Sequence, residues 1–197
     1  MMVVLAIIAT VTAVALTSQS SFNRSLVLVN TAYDIALTLR SAENFGMGSR
    51  ATGVVANAGY GIHFKVGTPN SFIMFADTFP PVDYSCTRPD CKPGDHVYTG
   101  NDAIVQTYTL GNGITVSNFC AYSDSWHCAS TGTRDLNSLD VVFMRPNPDA
   151  YILANTSPYT PYTATCLTIS SNKGGSRFIS VAVSGQIIAD IPACPPL

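Results

Sequence analysis

Six cysteines, three histidines and a group of aspartates are the residues of this 197-residue chain whose types and spacing could do chemistry. The cysteines are Cys86, Cys91, Cys120, Cys128, Cys166 and Cys194. Cys86-x4-Cys91-x4-His96 and Cys120-x6-His127-Cys128 can be drawn as zinc ligands, but neither contains the tight Cys-x2-Cys pair of structural zinc sites. An even count in an exported domain reads as disulfides instead. Six cysteines allow about 15 pairing patterns. Sequence-local pairing would join Cys86 to Cys91, Cys120 to Cys128 and Cys166 to Cys194.

A nucleophile needs a base and an orienting group nearby. None of His63, His96 and His127 stands beside a Gly-x-Ser-x-Gly turn. His63 falls mid-strand between Ile62 and Phe64 and reads as an exposed strand histidine. Asp83, Asp90, Asp95 and Asp102 gather in one long loop without the spacing of a calcium loop, and read as a solvated acidic stretch. No glycine-rich loop leads into a helix to cradle phosphate. Tyr84, Tyr98, Tyr108, Tyr122, Trp126, Tyr151, Tyr159 and Tyr162 could form an adhesive face, and read more simply as packing residues. The sequence therefore assigns no catalytic, cofactor or metal residue, and the expectation is a protein that is not an enzyme.

Hydrophobic residues make up 47% and charged residues 11% of the chain, well below the usual quarter for charge. A net charge of −2 gives no basic footprint for nucleic acid. From Met1 to Leu16 there is no charge, proline or glycine. A secretory signal would carry positive charge before its apolar core, and nothing positive precedes this one. A helix on a domain surface would show a polar face here. The run is expected to be a membrane helix whose first residues are missing.

Beyond it, Phe22, Leu26, Val29, Tyr33, Ala36 or Leu37, and Leu39 recur at steps of three and four among Asn23, Arg24, Asn30, Asp34, Arg40 and Glu43. This predicts an amphipathic continuation whose apolar stripe packs on the rest of the protein. With no proline or glycine before Gly46, one helix of about 45 residues would be roughly 68 Å long. From Gly53 the period becomes two. Strands are expected over 61–66, 71–75, 103–110, 114–119, 139–143, 166–170, 177–183 and 186–191. The Asn112-Gly113 pair is a hairpin signal between the third and fourth. The expected class is α+β: a helical segment over 1–48, with 1–21 for membrane or filament core, packed on an antiparallel β domain over 49–197.

Met2-Val-Val-Leu-Ala-Ile-Ile-Ala9, followed by the polar helical half, the glycines at 46 and 48, then strands and cysteines, resembles type IV pilins and type II secretion pseudopilins. Leu37-Thr-Leu-Arg-Ser-Ala-Glu43 is similar to a segment of the minor, H-type pseudopilin-like branch. The family's basic leader, cleavage site and glutamate are absent, since the sequence begins inside the motif. The resemblance implies a pilin-like fold and a structural filament subunit, with prepilin-type N-terminal methylation. It implies residence as a single-pass protein of the cytoplasmic (inner) membrane, and cell-surface location after assembly. Met2, Val3, Val4, Leu5, Ile7, Ile8, Val11, Val14 and Leu16 would form the membrane or filament-core segment. Implied partners are other pilin or pseudopilin subunits, the membrane, a prepilin peptidase and an assembly platform. No cofactor is implied. The alternatives are a membrane-anchored adhesin or binding domain and a membrane-anchored hydrolase.

Overall fold

The computed structural model describes residues 2–48, 57–81, 93–129, 136–155 and 157–194, and within these not the side chains of 14–22 and 157–160. Helix α1 (Met2–Met47) is followed by eleven strands among the described residues. Six form one antiparallel sheet, in the order β3 (Ala103–Thr109), β2 (Ser71–Asp77), β1 (Gly59–Lys65), β6 (Ser138–Phe143), β7 (Ala150–Ala154), β8 (Ser157–Tyr162). Five form a second, in the order β11 (Ile187–Ile191), β10 (Ser176–Ala182), β9 (Ala164–Ser171), β4 (Ile114–Tyr122), β5 (Trp126–Cys128).

The expected α+β class is corrected. Eleven strands stand against one helix among the described residues, so the molecule is mostly β, with its strands divided into two antiparallel sheets. One reason is the turn at Gly111-Asn112-Gly113. Asn112 and Gly113 do adopt positive φ, as a tight turn requires, and Ile114 N–H bonds Gly111 O at 3.0 Å. Yet β3 pairs with β2 in the first sheet, while β4 pairs with β9 and β5 in the second. The turn is a crossover between sheets and not a hairpin.

The stripe that α1 presents to the strands is also corrected. Leu28, Ala32, Ile35, Leu39, Ala42 and Gly46 are buried, recurring at alternating steps of four and three, with Thr38 buried beside them. Of the expected stripe Leu39 is buried, Val29 and Ala36 are half-buried, and Leu26, Tyr33 and Leu37 are exposed. Phe22 lies outside the described side chains. Both stripes have helical period; size decides between them. A Cβ on Gly46 would overlap the Phe143 carbonyl of β6, so the crossing admits only a residue without a side chain. Ala32 and Ala42 extend that small-residue seam between Leu28, Ile35 and Leu39.

The seam rests on β1 and β6 of one sheet and on β9, β10 and β11 of the other. One core results, joining Leu28, Ile35 and Leu39 to Tyr60, Ile62, Phe64, Leu139, Val141 and Phe143, and to Leu167, Ile169, Ile179 and Val181. The opposite end of α1 is apolar but does not meet the membrane expectation. Among the described residues no helix is long and apolar enough to cross a membrane. The sixteen residues to Leu16 would rise about 24 Å, short of a hydrocarbon core of about 30 Å. Thr17, Ser18, Gln19, Ser20 and Ser21 then follow. The single-pass inner-membrane location and the transmembrane and pilin descriptors that went with it lose their support.

Leu39→Ala should cost about 2–5 kcal/mol by opening a cavity under the helix, whereas Leu37→Ala should change stability by no more than about 0.5 kcal/mol. Urea unfolding midpoints of the two variants check the phase of the helix directly.

Candidate functional site

The free end of α1 is an exposed apolar surface. Met2, Val3, Val4, Leu5, Ile7, Ile8 and Val11 are each more than half exposed. Thr10 and Thr12 return their hydroxyls to the carbonyls one turn back, on Ala6, Ile7 and Ile8, so their polarity is spent inside the helix. The segment is thus apolar on every side. Fully burying such a side chain is worth about 1.5–3 kcal/mol each, so covering the seven would release on the order of 10 kcal/mol before association costs. Val14 and Leu16 belong to the same helix, with side chains outside the described set.

The disulfides lie on the second sheet. Cys120 of β4 stands opposite both Cys128 of β5 and Cys166 of β9 in register. Cys120 is bonded to Cys128, and Cys166 to Cys194, which ties the end of the described chain to a central strand. Cys120 and Cys128 therefore have no thiolate to offer a metal, and among the described residues no three His, Cys, Asp or Glu side chains are grouped to hold one. Cys86, Cys91, Asp83, Asp90 and Tyr84 lie outside the described residues.

The outer face of the first sheet holds what sequence reasoning missed. Register places His63 opposite Asp140 and Ile73, and Gly61 opposite Val142 and Phe75, so these share the face turned away from α1. The loop from Gly94 to Asp102 covers it. His63 is buried, not exposed, and its Nδ1 lies 2.7 Å from Asp140 Oδ1. Tyr98 packs against the His63 ring, with centroids 4.7 Å apart, and against Phe75 at 5.1 Å. Nearby, His96 Nδ1 lies 3.3 Å from Asp77 Oδ2, and its ring stacks on Tyr151 at 4.0 Å.

The loop is built around carboxylates. Asp77 accepts the backbone N–H groups of Asp95 and His96 at 3.2 and 2.8 Å. Gly94, with φ +95°, brings main chain so close that a Cβ there would overlap the Asp77 carboxylate. Asp102 is likewise buried rather than solvated. It accepts N–H bonds from Thr78, Phe79 and Thr99 and the Thr99 hydroxyl, at 2.7–2.9 Å. Asp95 is half-buried and accepts from Val97 N–H at 3.2 Å. The signal available in the sequence was the alternation Gly59-x-Gly61-x-His63 with Asp77 and Asp140 on partner strands, which shows only once the register is known.

Burial raises the Asp140 pKa above the ordinary carboxylate value, against the opposing hydrogen bond and charge of His63 and the Tyr98 N–H. Its Oδ2 is buried with no hydrogen-bond partner among the described residues. Burial raises the Asp77 pKa as well, opposed by His96. An aspartate and the imidazole it orients supply two of the three members of a hydrolytic triad. Among the described residues, however, no hydroxyl or thiol is hydrogen-bonded to His63 or His96. The contact of Ser125 Oγ with His127 Nε2, at 3.4 Å, is exposed and long. What the two pairs do is fasten the loop onto the sheet.

No protein-family model, curated protein or solved structure matches the chain.

Two outcomes follow from this geometry. A carboxyl whose folded pKa lies above its unfolded one binds its proton more tightly in the native state, so stability falls as pH rises through the window between the two values. The urea midpoint of the native chain should therefore decline as pH climbs from the ordinary carboxylate value toward neutrality by more than that of Asp77→Asn/Asp140→Asn. Equal slopes would show that the buried carboxyls do not set it. Separately, removing the Cys166–Cys194 bond, with a sequence separation of 28, should cost about 3.5 kcal/mol, against about 2.5 kcal/mol for Cys120–Cys128 with a separation of 8. Paired Cys→Ala variants compared by denaturant unfolding measure both.

Proposed function

We propose that this chain is a structural subunit that assembles through its N-terminal helix into a filament, as the subunits of type IV pili and secretion pseudopili do. The observation that carries the reading is the division of α1. Its second half is locked into the core by Leu28, Ile35 and Leu39, while Met2 to Val11 stands clear with its apolar side chains in solvent. A helix end held out in that way gains most by packing against the helices of like subunits. Ala6, Ala9, Thr10 and Ala13 leave room for close approach between them. The exposed Leu26, Tyr33 and Leu37 prolong the contact along the helix. In the filament the helices form the centre and the two sheets face outward.

The disulfides fit an oxidising compartment outside the cytoplasm. A prepilin peptidase and an assembly platform are the partners that the resemblance adds. The protein does no chemistry of its own: its function is mechanical and its specificity lies in which subunits its helix accepts. Ile8→Asp puts a charge into the segment to be buried, at a cost of several kcal/mol per interface. In the full chain it should abolish sedimenting assemblies and incorporation into sheared surface filaments, with the unfolding midpoint unchanged because Ile8 touches no core residue. Assembly of the variant at wild-type yield, or a wild-type chain that stays monomeric and absent from every filament fraction, would overturn the proposal.

A further inference from the structure

We propose that the cleft between α1 and the β9–β10 turn binds a phosphate-bearing anion. Three of the ten cationic side chains of the whole protein converge there from separate parts of the chain. Arg24 comes from α1, Lys173 from the turn and Arg177 from β10. Two adjoining cavities, of about 180 and 250 Å³, share Arg24 and Lys173 in their walls.

The cleft is assembled by specific contacts. Asn172 N–H bonds Gly113 O at 3.0 Å, docking the β9–β10 turn on the crossover turn between the sheets. Gly174 and Gly175 take φ of +93° and +94°, and a Cβ on Gly175 would reach Leu28 of α1 at 3.5 Å. The turn thus lies against the helix with no side chain at its apex. Arg177 is already committed: its Nε is 2.7 Å from Asp190 Oδ1 and its Nη2 donates to Ser25 Oγ at 3.0 Å. Arg24 and Lys173 have no carboxylate partner among the described residues. Two uncompensated positive charges therefore face one hollow, and the hydroxyls of Ser25 and Ser171 and the amide of Asn112 add neutral polar groups beside them.

This set suits phosphate better than a carboxylate. A tetrahedral anion takes donors from several directions at once, as an arginine, a lysine and two hydroxyls on different elements supply them. The phosphate can be free or can belong to a lipid headgroup, and the chemistry at the cleft is the same.

Calorimetric titration of the full chain with inorganic phosphate at constant ionic strength, and flotation with phosphatidylglycerol against phosphatidylcholine vesicles, test the assignment. Saturable binding of phosphate identifies the free anion as ligand. Retention by phosphatidylglycerol vesicles without phosphate binding identifies the headgroup. In either case Arg24→Gln/Lys173→Gln should weaken binding at least tenfold, while Arg40→Gln/Lys65→Gln, which removes the same charge elsewhere, should leave it unchanged. The proposal is overturned if the native chain binds neither probe, or if the two double variants lose binding equally.

Discussion

The close crossing of α1 over β6 is the constraint on which the rest of the molecule depends. Gly46 meets the Phe143 carbonyl with no space for a methyl group, and Ala32 and Ala42 continue the seam. A helix that lies so near a sheet touches both sheets with one set of side chains, which is how Leu28, Ile35 and Leu39 come to share a core with residues of β1, β6, β9 and β10. Packing at crystal-like density makes such a contact intolerant of added volume. It also fixes the axis of the helix, and so the direction in which the apolar end projects.

The outer face of the first sheet follows a different economy. There the covering element is a loop, whose backbone N–H groups have no ladder to join. Asp77 and Asp102 replace the ladder by accepting those N–H groups, and Asp140 holds His63 beneath Tyr98. The desolvation of the carboxylates is the cost of ordering the loop. Gly61 belongs to the same arrangement, since a Cβ there would lie 2.6 Å from Val142 Cγ2 and 3.1 Å from Phe75. Strands β1 and β6 are thus buried on both faces, one hydrophobic against the helix and one polar and aromatic against a loop.

Much of this was legible in the residues. The absence of breakers before Gly46 announces the helical stretch, and period-two runs locate eight of the strands. The phase of the helix was legible only at Leu39, because Leu26, Tyr33 and Leu37 obey a helical spacing just as Leu28 and Ile35 do, and only the partner surface selects between them. The crossover at Asn112-Gly113 was misread because a left-handed turn specifies its own dihedrals and not the sheet that the next strand joins. Strands β5, β7 and β8 were passed over: three residues carry no period, and Pro158 and Pro161 disguise an edge strand. The burial of His63 and Asp102 does not show in the sequence because their polar partners include residues 77 and 23 or more positions away in the chain.

The same partition explains why net charge misleads here. The formal −2 includes Asp77, Asp102 and Asp140, whose side chains are interior. Apart from those three, the chain carries ten cations and nine carboxylates. Charge that the fold withdraws inward on one face leaves cations uncompensated elsewhere, and three of them meet where the helix leaves the sheets. A composition that excludes a basic footprint is therefore compatible with a local positive cleft, because the electrostatics of a surface is set by which charges the core and its loops consume.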